Sequence, residues 1–163
     1  MDIYDFLRVH DVHYQKFDHP AVFTCEEAER LLPTMPGMHT KNLFLRDKPG
    51  KRHILVSVPY EKRVDIRPLG AMLEAKDLSF ASPDRLKKYL GVDPGSVTIL
   101  GLINDSDHAV EVIIDEELWK ADAVGCHPLV NTGTLVIPHD SLETFLKATG
   151  HVWEVIDVPS RAE

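Results

Sequence analysis

Cysteine is scarce: Cys25 and Cys126 are the only two in 163 residues. Two thiols make no disulfide framework. Neither stands in a CxxC pair of the kind that signals a redox motif or a zinc site, so both are read as free thiols. Long hydrophobic runs are missing too. Stretches such as Ile54–Val58 and Leu135–Ile137 fall far short of the roughly 18 consecutive apolar residues a membrane helix needs, and no membrane partner is expected. The first residues, Met1-Asp2-Ile3-Tyr4-Asp5, are acidic and lack a basic leader segment, which makes a cytoplasmic location the expectation. There is no internal repeat, no low-complexity tract and no evident linker. At 44% apolar and 27% charged residues, the chain has the material for a packed core and is not of disordered composition. One domain over residues 1–163 is expected.

Charge is also lopsided. There are 26 acidic against 18 basic residues, a formal net charge of −8, which taken alone argues against a nucleic-acid partner. The distribution says otherwise. Between Lys41 and Arg67 lie eight cations (Lys41, Arg46, Lys48, Lys51, Arg52, Lys62, Arg63, Arg67) against Asp47, Glu61 and Asp65. Between Asn104 and Asp122 seven acids face only Lys120. A local basic face on an acidic protein suits a polyanion touched at one end; solvated hairpin charges account for the same pattern.

The order of elements follows from periodicity and punctuation. Ile3, Phe6, Leu7 and His10 have helical spacing, and His13–Phe17 can form a strand. Thr24-Cys25-Glu26-Glu27 reads as a capping box opening a helix that Pro33 ends. Thr40–Arg46 and Arg52–Val58 flank the turn Asp47-Lys48-Pro49-Gly50, a hairpin. Ile66–Leu73 looks helical. Ser82-Pro83-Asp84 starts a helix that Gly91 closes. Val97–Ile103 and Val110–Ile114 read as a second pair of strands across Asn104-Asp105. Val124–Cys126 and Thr134–Ile137 are strands, Ser141–Ala148 is a helix ending at Gly150, and Val152–Val158 is a last strand. Hairpins mixed with helices, without regular alternation, indicate an α+β fold with a mixed sheet.

Few residue patterns here carry chemistry. The nine histidines show no HExxH or paired ligand spacing, so no metal is expected. There is no GxSxG elbow, no phosphate loop and no GxGxxG. Cys126 and His127 are adjacent, and on an extended segment they face opposite ways, which places His127 badly as a base for Cys126; another histidine could still serve that thiol. Two segments stand out. Lys41 opens an otherwise apolar strand and shares its face with Leu43 and Leu45, while Asn42 shares the other with Phe44. A lysine on an apolar face reaches either for solvent or for an anion. In Gly125-Cys126-His127-Pro128 a strand ends where backbone groups are freed; His127 there is either a ligand-binding imidazole or a satisfied structural one.

Taken together, the stretches GMHTKNLFLRDKPGK (37–51), LSFASPDRLKKYLGVDPGSVTILGLIND (78–105), VEVIID (110–115) and VGCHPLVNTGTLVI (124–137) resemble the YbaK/ProRS-associated family of aminoacyl-tRNA deacylases. That family includes the editing insertion of bacterial prolyl-tRNA synthetase. With FDHPAVFTCEEAE (17–29) the likeness covers nearly the whole chain, and it is greatest to the free-standing editing proteins that clear alanine from tRNA(Pro). The resemblance implies an α+β domain with a mixed, partly barrel-like sheet surrounded by helices, and a reaction without cofactor. It implies that Lys41 is the essential lysine contacting the tRNA 3′ end, and that His127 shapes the aminoacyl pocket and positions the ester. Asn42, Thr24, Gly125 and Pro128 are implied as substrate contacts, with the helix from Thr24 to Leu32 walling the pocket. Gly95 and Ser96 are implied in a GxxxP-type loop, although Ile99 stands where relatives usually have proline.

The chemistry implied suits these residues. An aminoacyl ester is already activated, so a placed water and a stabilised oxyanion suffice, with the terminal ribose hydroxyl of the tRNA orienting the water. Specificity would be steric. One methylene is worth only about 1–3 kcal/mol in an apolar pocket, so a synthetase that admits proline needs a second, smaller sieve for alanine. The expected partners are misacylated tRNA, through its 3′ end and acceptor stem, and prolyl-tRNA synthetase, with the protein a monomer or weak homodimer. Alternatives are a deacylase of Cys- or another misacylated tRNA, a non-catalytic tRNA- or protein-binding module, and a Cys126-dependent hydrolase.

Overall fold

The structure, a computed structural model, describes residues 2–21, 27 and 30–161. Thr24, Cys25 and Glu26 of the expected capping box lie outside the described residues.

Helix α1 (Ile3–Val9) starts at Asp2, whose carboxylate accepts from the Tyr4 amide at 2.6 Å, and buries Ile3 and Leu7. Strand β1 (Gln15–Asp18) begins two residues later than expected. The His13 amide is already committed to the Ser141 hydroxyl at 3.0 Å. Strands β2 (Met38–Arg46) and β3 (His53–Pro59) form the expected hairpin. Asp47 builds its turn: Oδ1 accepts from the Lys51 and Arg52 amides at 2.9 and 3.0 Å, and Gly50 takes the left-handed φ of +76°. The amide of Arg52 above all, with those of Lys51 and Gly50, holds the Asp47 carboxyl below its ordinary pKa against the opposing effect of burial.

Helix α2 (Ile66–Met72) and the two-residue strand β4 (Ser79–Phe80) lead to helix α3 (Pro83–Leu90). The ends of α3 match their signals: the Ser82 hydroxyl accepts from the Arg85 amide at 3.2 Å, and Gly91 terminates it at φ +69°. Strand β5 (Val110–Asp115), helix α4 (Glu116–Trp119), strands β6 (Ala123–Cys126) and β7 (Gly133–Pro138), helix α5 (His139–Thr149) and strand β8 (Trp153–Ile156) complete the described fold.

The strands lie in the order β1-β7-β6-β2-β3-β5-β8, with β4 added to β2. Neighbours β1/β7, β7/β6 and β2/β3 are antiparallel; β6/β2, β3/β5 and β5/β8 are parallel. The sheet is therefore mixed, as the hairpin-and-helix pattern implied. Its pleat sends alternate residues to two cores. On one face Phe44, Leu55, Ile114, Cys126, Leu135 and Ile137 pack with Leu7 of α1, Leu90 of α3 and Phe145 of α5. On the other, Leu45, Ile54, Val56, Val58 and Ile113 pack with Leu69 of α2 and Val158 near the C-terminus. Each fully buried leucine or valine there stabilises the fold by about 1.5–3 kcal/mol.

One segment departs from expectation. Val97–Ile103 is not a strand pairing with Val110–Ile114; residues Ile99–Asn104 form 3₁₀ turns, and β5 pairs instead between β3 and β8. The buried Thr98 hydroxyl accepts from the Leu100 amide at 3.2 Å, and the Asn104 side chain donates to the Leu90 carbonyl at 2.9 Å. A hydroxyl that captures the backbone locally competes with a sheet ladder. The apolar residues Ile99, Leu100 and Leu102 then enter the core from a coil against α3. The last strand is likewise shorter than expected, since the Val158 amide leaves the sheet to bond Asp115 at 2.9 Å.

Two buried polar centres tie the elements together. The Lys62 ammonium meets the fully buried Asp115 carboxylate at 2.7 Å and the exposed Asp157 at 3.3 Å. Burial works against the Lys62 charge, but these carboxylates, Asp115 first, outweigh it and keep the pKa above its ordinary value. Removing one partner of a buried pair strands the other, at about 3–5 kcal/mol, whereas an exposed pair is worth about 0–1. In urea titrations, Asp115→Ala is expected to lose about 3–5 kcal/mol and Asp157→Ala less than about 1.

The second centre is His53, buried between Phe44 and Tyr89, with Nε2 2.8 Å from Arg85 Nη1. Guanidinium only donates, so Nε2 accepts and the imidazole is neutral. Burial, then the charges of Arg85 and Arg46, hold its pKa below the ordinary histidine value. The unfolded chain therefore binds the proton first as pH falls below about 6.5, and stability drops from there down to the folded pKa. Urea midpoints should rise from pH 5 to 6.5 and level off above, and His53→Gln should make that rise shallower.

Candidate functional site

Strands β2 and β6, 85 residues apart in sequence, lie side by side in parallel, with Met38 opposite Val124 and His39 opposite Gly125. The Thr40 hydroxyl extends the contact by donating to the Gly125 carbonyl at 2.6 Å. Register partners in a parallel pair point to the same face, and so do residues two further along. His39 and Lys41 of β2 thus share a face with Gly125 and, just past the end of β6, His127. The surroundings agree: a Cβ placed on Gly125 would stand 3.5 Å from His39 Nδ1 and 3.2 Å from Thr134 Cγ2. Cys126 points the other way, into the core.

Lys41, inside β2, and His127, just past the C-terminal end of β6, each stand two residues beyond the His39–Gly125 register pair. Their polar atoms have different partners. The Lys41 ammonium donates to the backbone carbonyl of Lys62 and lines a cleft of ≈ 420 Å³ that His127 does not reach. His127 is mostly enclosed, and its Nδ1 lies 3.2 Å from the Gly133 carbonyl. A carbonyl only accepts, so Nδ1 carries the hydrogen and Nε2 keeps a lone pair in the neutral ring. Burial above all pushes the His127 pKa below its ordinary value; the Gly133 carbonyl opposes it, and nearby His19 adds a smaller push downward. Lys41 thus presents a fixed cation to its own cleft, and His127 a neutral acceptor beyond the end of β6.

The other sequence-predicted residues divide. Gly125 and Pro128 flank His127, and Pro128 is buried, with its ring Cγ 3.7 Å from where a Cβ on Gly133 would stand. Next comes Leu129 at φ +68°, a left-handed backbone that costs a leucine of order 1 kcal/mol. Asn42 faces away from Lys41 and accepts a hydrogen bond from the Ser57 hydroxyl. Gly95 is exposed and Ser96 buried in a 3₁₀ turn, with no described hydrogen bond from either to Lys41 or His127. Ile99 is core. Thr24 lies outside the described residues.

Two histidines on this face were not singled out from sequence. His19 Nε2 lies 2.8 Å from the Thr134 hydroxyl and its Nδ1 2.9 Å from the Pro20 carbonyl. His39 borders a cavity of ≈ 760 Å³ with Met38, Tyr60, Glu117 and Asp122. The signal for His19 lies in the β1/β7 register, Phe17 opposite Thr134, which no local pattern reveals.

Residues 19–145, which span all of these positions, match the family described as the aminoacyl-tRNA editing domain. The chain belongs to that family. It is 36% identical over 147 residues to the prolyl-tRNA editing protein ProX of Acetoanaerobium sticklandii, covering 90% of each chain. It is 34% identical over 152 residues to prolyl-tRNA synthetase associated domain-containing protein 1 of Danio rerio, covering 92% of this chain and 82% of that one. A solved structure described as a trans-editing enzyme for prolyl tRNA synthetase superposes with a TM-score of 0.73 over 99% of this chain and 96% of the other. At 18% identity that likeness bears on the fold alone. Editing in this family is deacylation, so the protein is an ester hydrolase of the aminoacyl-tRNA class, and a mixed sheet flanked by helices is the family fold. Among the described residues no helix is long and apolar enough to cross a membrane.

Burial raises the Cys126 thiol to a pKa of about 12, which leaves almost no thiolate at neutral pH and no nucleophile. In the folded protein at pH 7.5, peptide mapping after iodoacetamide should find Cys126 unmodified, and modified once urea is added. Cys126→Ala is expected to retain deacylase activity.

Proposed function

We propose that the protein is a free-standing editing enzyme that hydrolyses Ala-tRNA(Pro), acting in the cytoplasm alongside prolyl-tRNA synthetase as one deacylase domain over residues 1–163. The observation that supports the reading is the parallel β2/β6 pairing with His39 opposite Gly125, from which Lys41 and His127 are each two residues further along the chain. The names of the relatives, prolyl-tRNA editing and prolyl-tRNA synthetase associated, agree with it.

Water oxygen attacks the ester carbonyl, and the ester bond to the ribose oxygen breaks. Alanine leaves as the acid, and the ribose oxygen takes the proton. The neighbouring ribose hydroxyl orients the water, which is why no triad is needed. Lys41 anchors the sugar-phosphate end by charge-assisted hydrogen bonds. His127, neutral because it is desolvated, accepts through Nε2 and fixes the aminoacyl ribose without adding a second cation. Gly125 and Pro128 shape the floor beneath it. Thr24, Gly95 and Ser96 complete the proposed substrate contacts, while Asn42, expected from sequence to touch substrate but facing away from Lys41, acts through the Ser57 hydrogen bond on strand position.

The deciding assay is release of amino acid from a panel of charged tRNAs. Ala-tRNA(Pro) should be hydrolysed while Pro-tRNA(Pro) survives; preference for Cys-tRNA(Pro) or another misacylated tRNA would reassign the substrate. Lys41→Ala should lose about 10²-fold or more in kcat/KM, the scale of one preorganised polar contact to a reacting group, with its melting temperature kept. A fully active Lys41→Ala would remove the proposed role.

A further inference from the structure

The cleft that Lys41 enters has a composition the hydrolytic step does not require. Its walls carry Lys41, Arg63, Arg67 and Arg161 against a single carboxylate, Asp65. The three arginines are exposed, and none forms an ion pair among the described residues. They come from three places that the backbone fixes together. Arg63 and Arg161 flank the isolated antiparallel bridge Val64–Ser160, with the Arg161 amide donating to the Arg63 carbonyl at 2.8 Å, and Arg67 sits in the first turn of α2. Like charges gathered this way on a protein of net charge −8 repel one another unless an anion sits between them.

At the rim stands Phe80, 61% exposed on β4, where it pairs with Leu45 of β2. Phe80, Ile66 and Arg67 are shared with an adjoining cleft of ≈ 590 Å³, so the two hollows form one groove that leads away from Lys41. A groove with unpaired guanidinium groups and an exposed aromatic ring is what a single-stranded nucleic acid needs: cations for phosphates and a platform for a base.

We infer that this groove receives the unpaired 3′-terminal nucleotides of the tRNA, with Arg63, Arg67 and Arg161 on phosphates and the Phe80 ring under one base. The inference rests on the proposed tRNA substrate and deepens it by naming the surface that holds the strand entering at Lys41. Arg161 and Phe80 fall outside the basic stretch 41–67, so the groove is not a restatement of sequence charge.

The test uses uncharged RNA, so that it does not depend on hydrolysis. A fluorescent hairpin with the tRNA(Pro) acceptor stem and a four-nucleotide 3′ overhang is compared with the same hairpin made blunt. Anisotropy titrations against the full chain run from about 25 to 200 mM KCl. Each phosphate neutralised on a single strand contributes about 0.7 to the slope of log Kd against log salt. The triple variant Arg63→Gln, Arg67→Gln, Arg161→Gln is therefore expected to flatten the slope by about 2. Phe80→Ala should weaken the overhung hairpin about tenfold, the lower part of the stacking range, without changing the slope or the blunt hairpin. All four positions are exposed, and an unchanged melting temperature verifies the fold of each variant. A triple variant with the wild-type slope, or a Phe80→Ala effect equal on both hairpins, would overturn the inference. A wild-type protein that binds the overhang through these residues and yet hydrolyses no Ala-tRNA(Pro) would instead sink the proposed function and leave the groove standing.

Discussion

The ion pair between Lys62 and Asp115 governs how the candidate site is built. Asp115 ends β5 fully buried, and its two oxygens serve three donors: the Lys62 ammonium at 2.7 Å, the Val158 amide at 2.9 Å and the Glu117 amide at 3.2 Å. One carboxylate thus joins the loop after β3, the start of α4 and the C-terminal segment. The carbonyl of the same Lys62 receives the Lys41 ammonium. Desolvating such a pair is expensive, and an apolar substitute of equal size is often no less stable. Its value here is positional. It holds the backbone carbonyl that orients Lys41, and it anchors the C-terminal segment that brings Arg161 beside Arg63.

The two faces of the sheet explain why chemistry collects where it does. One face is filled across its whole width by α1, α3, α5 and the 3₁₀ segment at Ile99–Asn104. On the other, α2 and Val158 fill the half over β2, β3 and β5 with aliphatic side chains. Over β6, β7 and β1 the described residues of that face turn more polar: beside Val136 stand Gly125, Thr134, which bonds His19, and His127, which bonds the Gly133 carbonyl. Polar groups are tolerated in such an enclosure because each has a partner. The same enclosure lowers the His127 pKa, so a neutral imidazole is a product of the place and not of a charged neighbour acting alone.

Local features of the fold were legible in the sequence because their causes are local. The β2/β3 hairpin follows from alternation around an Asp-Lys-Pro-Gly turn, and the α3 ends follow from Ser82, Pro83 and Gly91. The split of Lys41 and Leu45 from Asn42 and Phe44 across the sheet follows from the pleat. Where cause and effect are distant, the pattern misleads. Val97–Ile103 has strand-like composition, but the Thr98 hydroxyl and the Leu90 carbonyl, which Asn104 caps, turn it into 3₁₀ structure. Without that partner β5 takes its place between β3 and β8. The relative placement of Lys41 and His127 depends on the β2/β6 register, His39 opposite Gly125, and no periodicity encodes it. The family resemblance supplied those two residues; the pairing sets where each stands along the sheet.

Net charge and local charge pull against each other in this protein, and distance decides between them. At physiological salt a charge is felt over about 8 Å. The acidic residues between Asp105 and Asp122 are carried on β5, α4 and their flanking loops, whereas the arginine groove lies across β2, α2 and the C-terminal segment. A nucleic-acid body approaching a protein of net charge −8 meets net repulsion. An unpaired terminus a few nucleotides long can enter within a Debye length of Arg63, Arg67 and Arg161 and see mostly positive charge. Under the proposed reading, such a surface favours the end of a nucleic acid over its duplex. A free-standing editing enzyme has use for that balance, since it must sample many correctly charged tRNAs without sequestering them.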